Sequence, residues 1–279
     1  MTRTLLRMAA CCVAAFALAA SLSADTFDHE YWGYAKLLHD HVHAVVVDYT
    51  ALKEHRGMLA QVMTTFAEPS AADERAWTRE RRLSFWINAY NLFTLRAIVD
   101  HYPIRSAWLT LQPRNSIRQI DGVWTALSWS AAGRTVTLDD IEHRILRPEF
   151  KEPRVHFAIN CASVGCPPLS ADPYRPVTLN EQLDAAARRY LAREQGLQIR
   201  GDTLRVSRIL EWYGEDFVPA FAPEAAGTPD RLERVARAVV VRFGPAAAAE
   251  LARKPSTRIK YLDYDWSLND VKIDDRERD

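Results

Sequence analysis

VHFAINCASVGCPPL, residues 155–169, is the stretch around which the chain is organised. Its apolar run, residues 155–159, predicts a short buried strand. The run ends on Asn160, Cys161 and Ser163, then enters a loop stiffened by Gly165, Cys166, Pro167 and Pro168. Scaffolds often present a site by delivering a polar cluster into such a rigid loop. Two of the four cysteines, Cys11 and Cys12, fall in the first 24 residues, which leaves Cys161 and Cys166 for the rest of the chain.

Two helical patterns stand beside this stretch. LSFWINAYNLFTLRAIV, residues 83–99, is apolar almost all round and predicts a helix buried on most sides. At 3.6 residues per turn, Ser84, Asn88, Asn91 and Leu95 fall within about 60° of one another. Buried amides must find partners, because an unpaired one costs roughly 1–3 kcal/mol. Asn88 and Asn91 therefore either bond neighbouring backbone or orient a catalytic or ligand group. The second pattern is TLDDIEHRILR, residues 137–147, with a capping box between Thr137 and Asp140. On a 3.6-residue wheel Glu142 lies about 40° from Leu138, on the inward arc, with His143 at its edge. An inward carboxylate needs a cation or a set of donors, and Arg147 and Arg154 are the nearest cations in sequence.

The remaining chain alternates helices and short strands without βαβ regularity. Helices are expected over 27–42, 50–66 (capped by Thr50), 178–195 (capping box Thr178 to Glu181), 209–217, 228–243 and 246–253. Short strands are expected near 117–120, 123–129, 134–137 and 259–263, with a hairpin over 197–207 turning at Gly201-Asp202. The fold class is therefore α+β: a helix-rich single domain around a small, mostly antiparallel sheet. Residues 25–75 form an N-terminal helical layer, 76–270 form the core, and 272–279 form a charged tail. His39, His41 and His43 alternate at a charged, exposed helix end and are not assigned to a metal.

Residues 1–24 have the form of a cleaved secretory signal peptide. Arg3 and Arg7 make the basic start, an apolar run covers residues 8–22, and small residues follow. The run is too short to span a bilayer comfortably. Its removal takes 36 basic residues to 34 against 36 acidic, a net charge of −2. Phosphate-driven nucleic-acid binding is not expected from that balance. Export would place the mature chain in the periplasm or outside the cell, where disulfides persist.

Three accounts of the cysteines follow from the residues. A structural bridge between Cys161 and Cys166 would close a small loop and contribute about 2 kcal/mol on the chain-entropy account. A nucleophilic Cys161 would need an imidazole to lower its pKa, with His143 the better-placed base and Glu142, Asn88 or Asn160 as orienters. His156 precedes Cys161 by five residues, roughly 16 Å along an extended strand. A zinc site is disfavoured because the spacing is too long and no second pair exists. Gly-x-Ser-x-Gly, phosphate-binding and dinucleotide loops are absent from the sequence, so no cofactor is expected.

FWINAYN (85–91), TLDDIEHRILR (137–147), RVHFAINCASVGCPPL (154–169) and IKYLDYDW (259–266) together resemble the domain of unknown function 547 family (DUF547). The resemblance implies an exported single-domain protein, as in similar bacterial members, and no settled activity. In plants a similar domain follows a coiled-coil segment, which suggests interaction as much as catalysis. The family's motif residues fall here on Asn88, Tyr90, Asn91, Glu142, His143, His156, Asn160, Cys161, Ser163 and Cys166. The favoured function is a non-catalytic domain binding a small molecule or protein partner in a polar cleft around Cys161, with Asn91, His156, Asn160, Ser163 and Cys166 as binding residues. The alternative is a thiol-dependent hydrolase or acyl transferase using Cys161, His143, Glu142 and Asn88. Both expect the polar residues of the three motifs to meet at one site.

Overall fold

The computed structural model describes residues 27–105, 110 and 112–271. The expected leader, with Cys11 and Cys12, and the charged tail lie outside the described residues. Four helices come first: α1 (Trp32–His41), α2 (Tyr49–Glu54), α3 (Arg56–Ala67) and α4 (Ala71–Ala76). They pack around α5 (Arg79–His101), the expected central helix. Residues 83–99 of α5 are buried apart from Arg96, as an all-round apolar pattern requires. Thr78 caps its start, its Oγ1 accepting from the Arg81 N–H at 3.3 Å. Tyr102-Pro103 ends it, because proline disfavours a helical conformation in the residue before it.

A second group of helices follows: α6 (Leu179–Leu191), α7 (Ile209–Trp212), α8 (Gly214–Phe221), α9 (Arg231–Phe243) and α10 (Ala246–Ala252). Strands β1 (Val42–His43), β2 (Val46–Val47), β3 (Ser128–Ala131), β4 (Arg134–Thr137), β5 (Leu197–Arg200), β6 (Thr203–Val206) and β7 (Arg258–Tyr261) form three small sheets instead of one. Pairing is antiparallel except between β6 and β7, which run parallel with Leu204 opposite Ile259. The expected hairpin is present, and Gly201 takes the left-handed conformation (φ 58°) that its turn needs. The α+β, helix-rich class stands.

Apolar burial divides into two cores. One is centred on α5, and the other gathers α6 to α10 with the three-stranded sheet. The opening stretch is the seam between them: Val155, Ala158 and Ile159 pack in the first core, Phe157 in the second. This explains the main local departure. Residues 155–159 are not a strand; Pro153–Phe157 form 3-10 turns, with Pro153 at the helical start and the Glu152 carboxylate accepting from the Arg154 N–H at 3.2 Å. An apolar run covered on all sides has no periodicity to separate strand from helix. Similarly, Ile117–Gln119 is a 3-10 turn, and pairing over the expected 123–129 strand begins only at Ser128.

The second departure is the segment after β4. The Thr137–Asp140 capping box forms, with 3.0 Å bonds in both directions. The helix it opens, Asp140–Phe150, is a π-helix. Hydrogen bonds from i to i+5 widen it to about 4.4 residues per turn. Its buried residues, Ile141, Glu142, Ile145, Leu146 and Phe150, follow that wider period. Glu142 faces inward as expected, on a helix whose period the 3.6-residue wheel does not describe. Three smaller expectations also fail. The first helix after β2 is capped by Asp48, whose Oδ1 accepts from Ala51, and not by Thr50. Thr178 gives its hydroxyl to Gln182 (3.1 Å), not to a capping box. His41 is buried, with its Nε2 3.1 Å from His55 Nδ1, while His39 and His43 are exposed.

Candidate functional site

A cavity of about 330 Å³ opens where the two cores meet. Its floor carries Tyr90 from α5, Glu142 from the π-helix, and His156, Ile159, Cys161, Cys166 and Pro167 from the seam. Its far wall is aromatic: Trp212, Tyr213, Tyr264 and Trp266, with Trp124 across from them. Arg118, Asp139 and His143 stand toward the mouth, Arg118 and His143 being exposed. The three sequence motifs therefore meet, and a fourth, C-terminal element completes the wall.

The seam loop is held from both sides. Asn91 Nδ2 donates to the Ala158 carbonyl (3.0 Å), and its Oδ1 accepts from the Asn160 N–H (2.8 Å). Asn160 spans the loop in turn, accepting from Ala162 N–H (2.8 Å) and donating to the Pro167 carbonyl (2.7 Å). Ala162 sits in the left-handed region (φ 57°), a strained conformation for a residue with a Cβ, and these amide bonds hold it there. Asn88 is one turn away and faces elsewhere: both ends of its amide bond the backbone of Tyr174, at 2.8 and 2.9 Å. Asn91, Asn160 and Ser163 support the site, Asn88 holds the Tyr174 backbone, and none of the four lines the cavity.

Cys161 and Cys166 stand at disulfide distance, with Cα atoms 6.2 Å apart. The Tyr264 hydroxyl donates to Cys161 Sγ (3.4 Å), and Ser163 Oγ donates to the Tyr264 oxygen (3.3 Å). Burial above all holds the Tyr264 phenol well above its ordinary pKa, so it remains a donor. Neither histidine bonds Cys161. His143 Nδ1 accepts from Arg147 Nη1 at 2.8 Å, which leaves the ring proton on Nε2, 3.7 Å from Asp139. His156 is buried, stacks on Tyr213 with centroids 4.1 Å apart, and donates Nε2–H to Asp216 Oδ2 at 2.8 Å.

Asp216 anchors a cluster the sequence did not suggest. Its two oxygens also receive the Arg147 fork, Nε at 2.6 Å and Nη2 at 3.0 Å. Burial pushes its carboxyl upward, but the bonds from His156 and Arg147 outweigh that and hold it well below the usual carboxylate range. Glu142 differs: it is 6% exposed, and its neighbours are the hydroxyls of Tyr90 (3.3 Å) and Tyr213. Burial first, and the Glu142 charge second, raise both phenols, so both serve as donors.

The stretch that builds the floor also carries a family match. Residues 74–191 match the family model described as protein of unknown function, DUF547. This DUF547 segment contains the floor and mouth residues from Tyr90 to Pro167, whereas Trp212, Tyr213, Tyr264 and Trp266 lie beyond it. No curated protein and no solved structure matches the chain. The aromatic wall and Asp216 are the site residues that sequence reasoning missed; the aromatic-rich 209–217 and IKYLDYDW segments were the available signal. Among the described residues no group of three or more His, Cys, Asp or Glu is placed to hold a metal ion. Among the same residues no helix is long and apolar enough to cross a membrane.

Proposed function

We propose that the protein is a binding domain whose ligand enters the cleft beside Cys161, with Cys161–Cys166 as a bridge that fixes the cleft floor. The observation that supports this best is the pairing of the cysteine sulfurs, each engaged within the loop, under a cavity of ligand size with a mostly aromatic wall. A thiol nucleophile would need an imidazole at Cys161. Arg147 and Asp216 engage the two candidate rings instead. Export through a leader removed near residue 24 fits the same picture, since an oxidising compartment would keep the pair bridged.

Purified protein alkylated with iodoacetamide in the absence of reductant provides the test. The peptide spanning residues 161–166 is expected unmodified and two mass units lighter than its reduced form, since a bridge removes two hydrogens. Rapid alkylation of Cys161 near neutral pH would instead favour the thiol-dependent hydrolase or acyl transferase. N-terminal sequencing of the chain recovered from the periplasm or medium tests export, and a start near residue 25 is expected.

A further inference from the structure

We propose that the cleft recognises a cationic nitrogen, an alkylammonium or quaternary ammonium group seated between the Glu142 carboxylate and the aromatic wall of Trp212, Tyr264 and Trp266. This rests on the binding function above and names the ligand class for the same cleft. Glu142 is more than nine-tenths buried and lines the cavity. A buried carboxylate is costly unless a positive charge accompanies it. Its tyrosine neighbours supply neutral hydrogen bonds only, and among the described residues no cation stands within ion-pair distance of it. The nearby Arg147 guanidinium is committed to both oxygens of Asp216. A carboxylate has about four lone-pair directions, so two hydroxyls leave room for a further donor.

The wall supplies the second half of such a site. Tyr264 packs against both indoles, with centroids 4.9 Å from Trp212 and 4.6 Å from Trp266, and the indoles stack on each other at 6.1 Å. Trp212 is 45% exposed, so part of its ring is open to solvent. Indole faces attract cations within about 6 Å, most strongly where water is excluded. The wall already does so at its rim, where the Arg118 guanidinium lies 4.8 Å over Trp266. Arg118 and His143 are exposed at the mouth, where solvent screens them, and Asp139 adds a negative group there. The buried charge on the floor is negative.

Choline and its neutral carbon isostere 3,3-dimethylbutan-1-ol separate charge from shape. Titration of the full-length protein with each, followed by calorimetry and tryptophan emission, is expected to give saturation by choline and binding of the alcohol weaker by about tenfold or more. Glu142→Gln and, separately, the surface change Trp212→Ala are each expected to weaken choline by about tenfold with an unchanged circular-dichroism melt for Trp212→Ala. Equal binding of the two probes, or choline binding unaffected in both variants, overturns the cationic ligand while leaving the cleft as a binding site. Saturation by neither probe also overturns the cationic ligand, while the alkylation of Cys161 decides the binding reading separately.

Discussion

Asp216 is where single-residue chemistry has the clearest consequence. It neutralises the Arg147 guanidinium and fixes the His156 ring by accepting its Nε2–H. Its folded pKa lies below the unfolded value of about 3.9, so the unfolded chain takes up the proton first. The stabilisation it provides is therefore present above about pH 4 and is lost as pH falls below that value. Asp216→Asn should destabilise the protein by about 1–3 kcal/mol near neutrality. The gap between variant and parent in denaturant melts should close toward acid pH; a gap that widens there would contradict the assignment. Asn91 has a comparable role without charge. Asn91→Ala leaves the Ala158 carbonyl and the Asn160 N–H without partners and should cost about 2–4 kcal/mol in urea unfolding.

Among the elements, the C-terminal segment depends on one close approach. Val164 N–H donates to Ser267 (2.8 Å), Gly165 N–H to Asp265 (2.9 Å), and Ser163 forms a bridge with Leu268. This lays residues 264–268 along the seam loop and aims Tyr264 and Trp266 at the cavity. A Cβ on Gly165 would meet the Asp265 backbone at 3.0 Å, and backbone cannot turn aside as a side chain can. Gly165→Ala should lower stability by about 1–3 kcal/mol and change the tryptophan emission, because Trp266 would be displaced. Unchanged emission would mean that the wall is positioned independently of the loop. The π-helix contributes the other fixed element. Its wider turn puts Glu142 among Ile141, Ile145 and Leu146, and its left-handed terminal residue Lys151 (φ 49°) turns the chain toward the seam.

Across the whole molecule, the cleft lies where two apolar cores share one segment. A bridge closing the loop of Cys161 and Cys166 would contribute about 2 kcal/mol by chain entropy, a local effect. Replacing both cysteines by serine should lower the urea midpoint modestly while leaving a single cooperative transition. Separate transitions for the two cores would show that the bridge and seam couple them. The tyrosines and Glu142 at this junction draw on both cores: Tyr90 belongs to the first, and Tyr213 and Tyr264 pack against the second. A ligand bound there would touch both.

Local pattern along the chain is enough for the helix-rich α+β class, the burial of α5, the hairpin at Gly201 and the convergence of the 85–91, 137–147 and 154–169 segments. These depend on local periodicity, turn chemistry and the requirement that buried polar groups find partners, all of which are written along the chain. Only tertiary structure decided that 155–159 would turn in 3-10 form, since a run buried from both sides shows no period. It also decided the π-helical winding around Glu142, which is read in its burial pattern. Asp216 reaches the site across the 60 residues that separate it from His156, Trp212 from the same segment, and Tyr264 and Trp266 by the pairing of 163–165 with 265–268. Contacts of that range depend on how the second core docks on the first, a choice that no local pattern encodes.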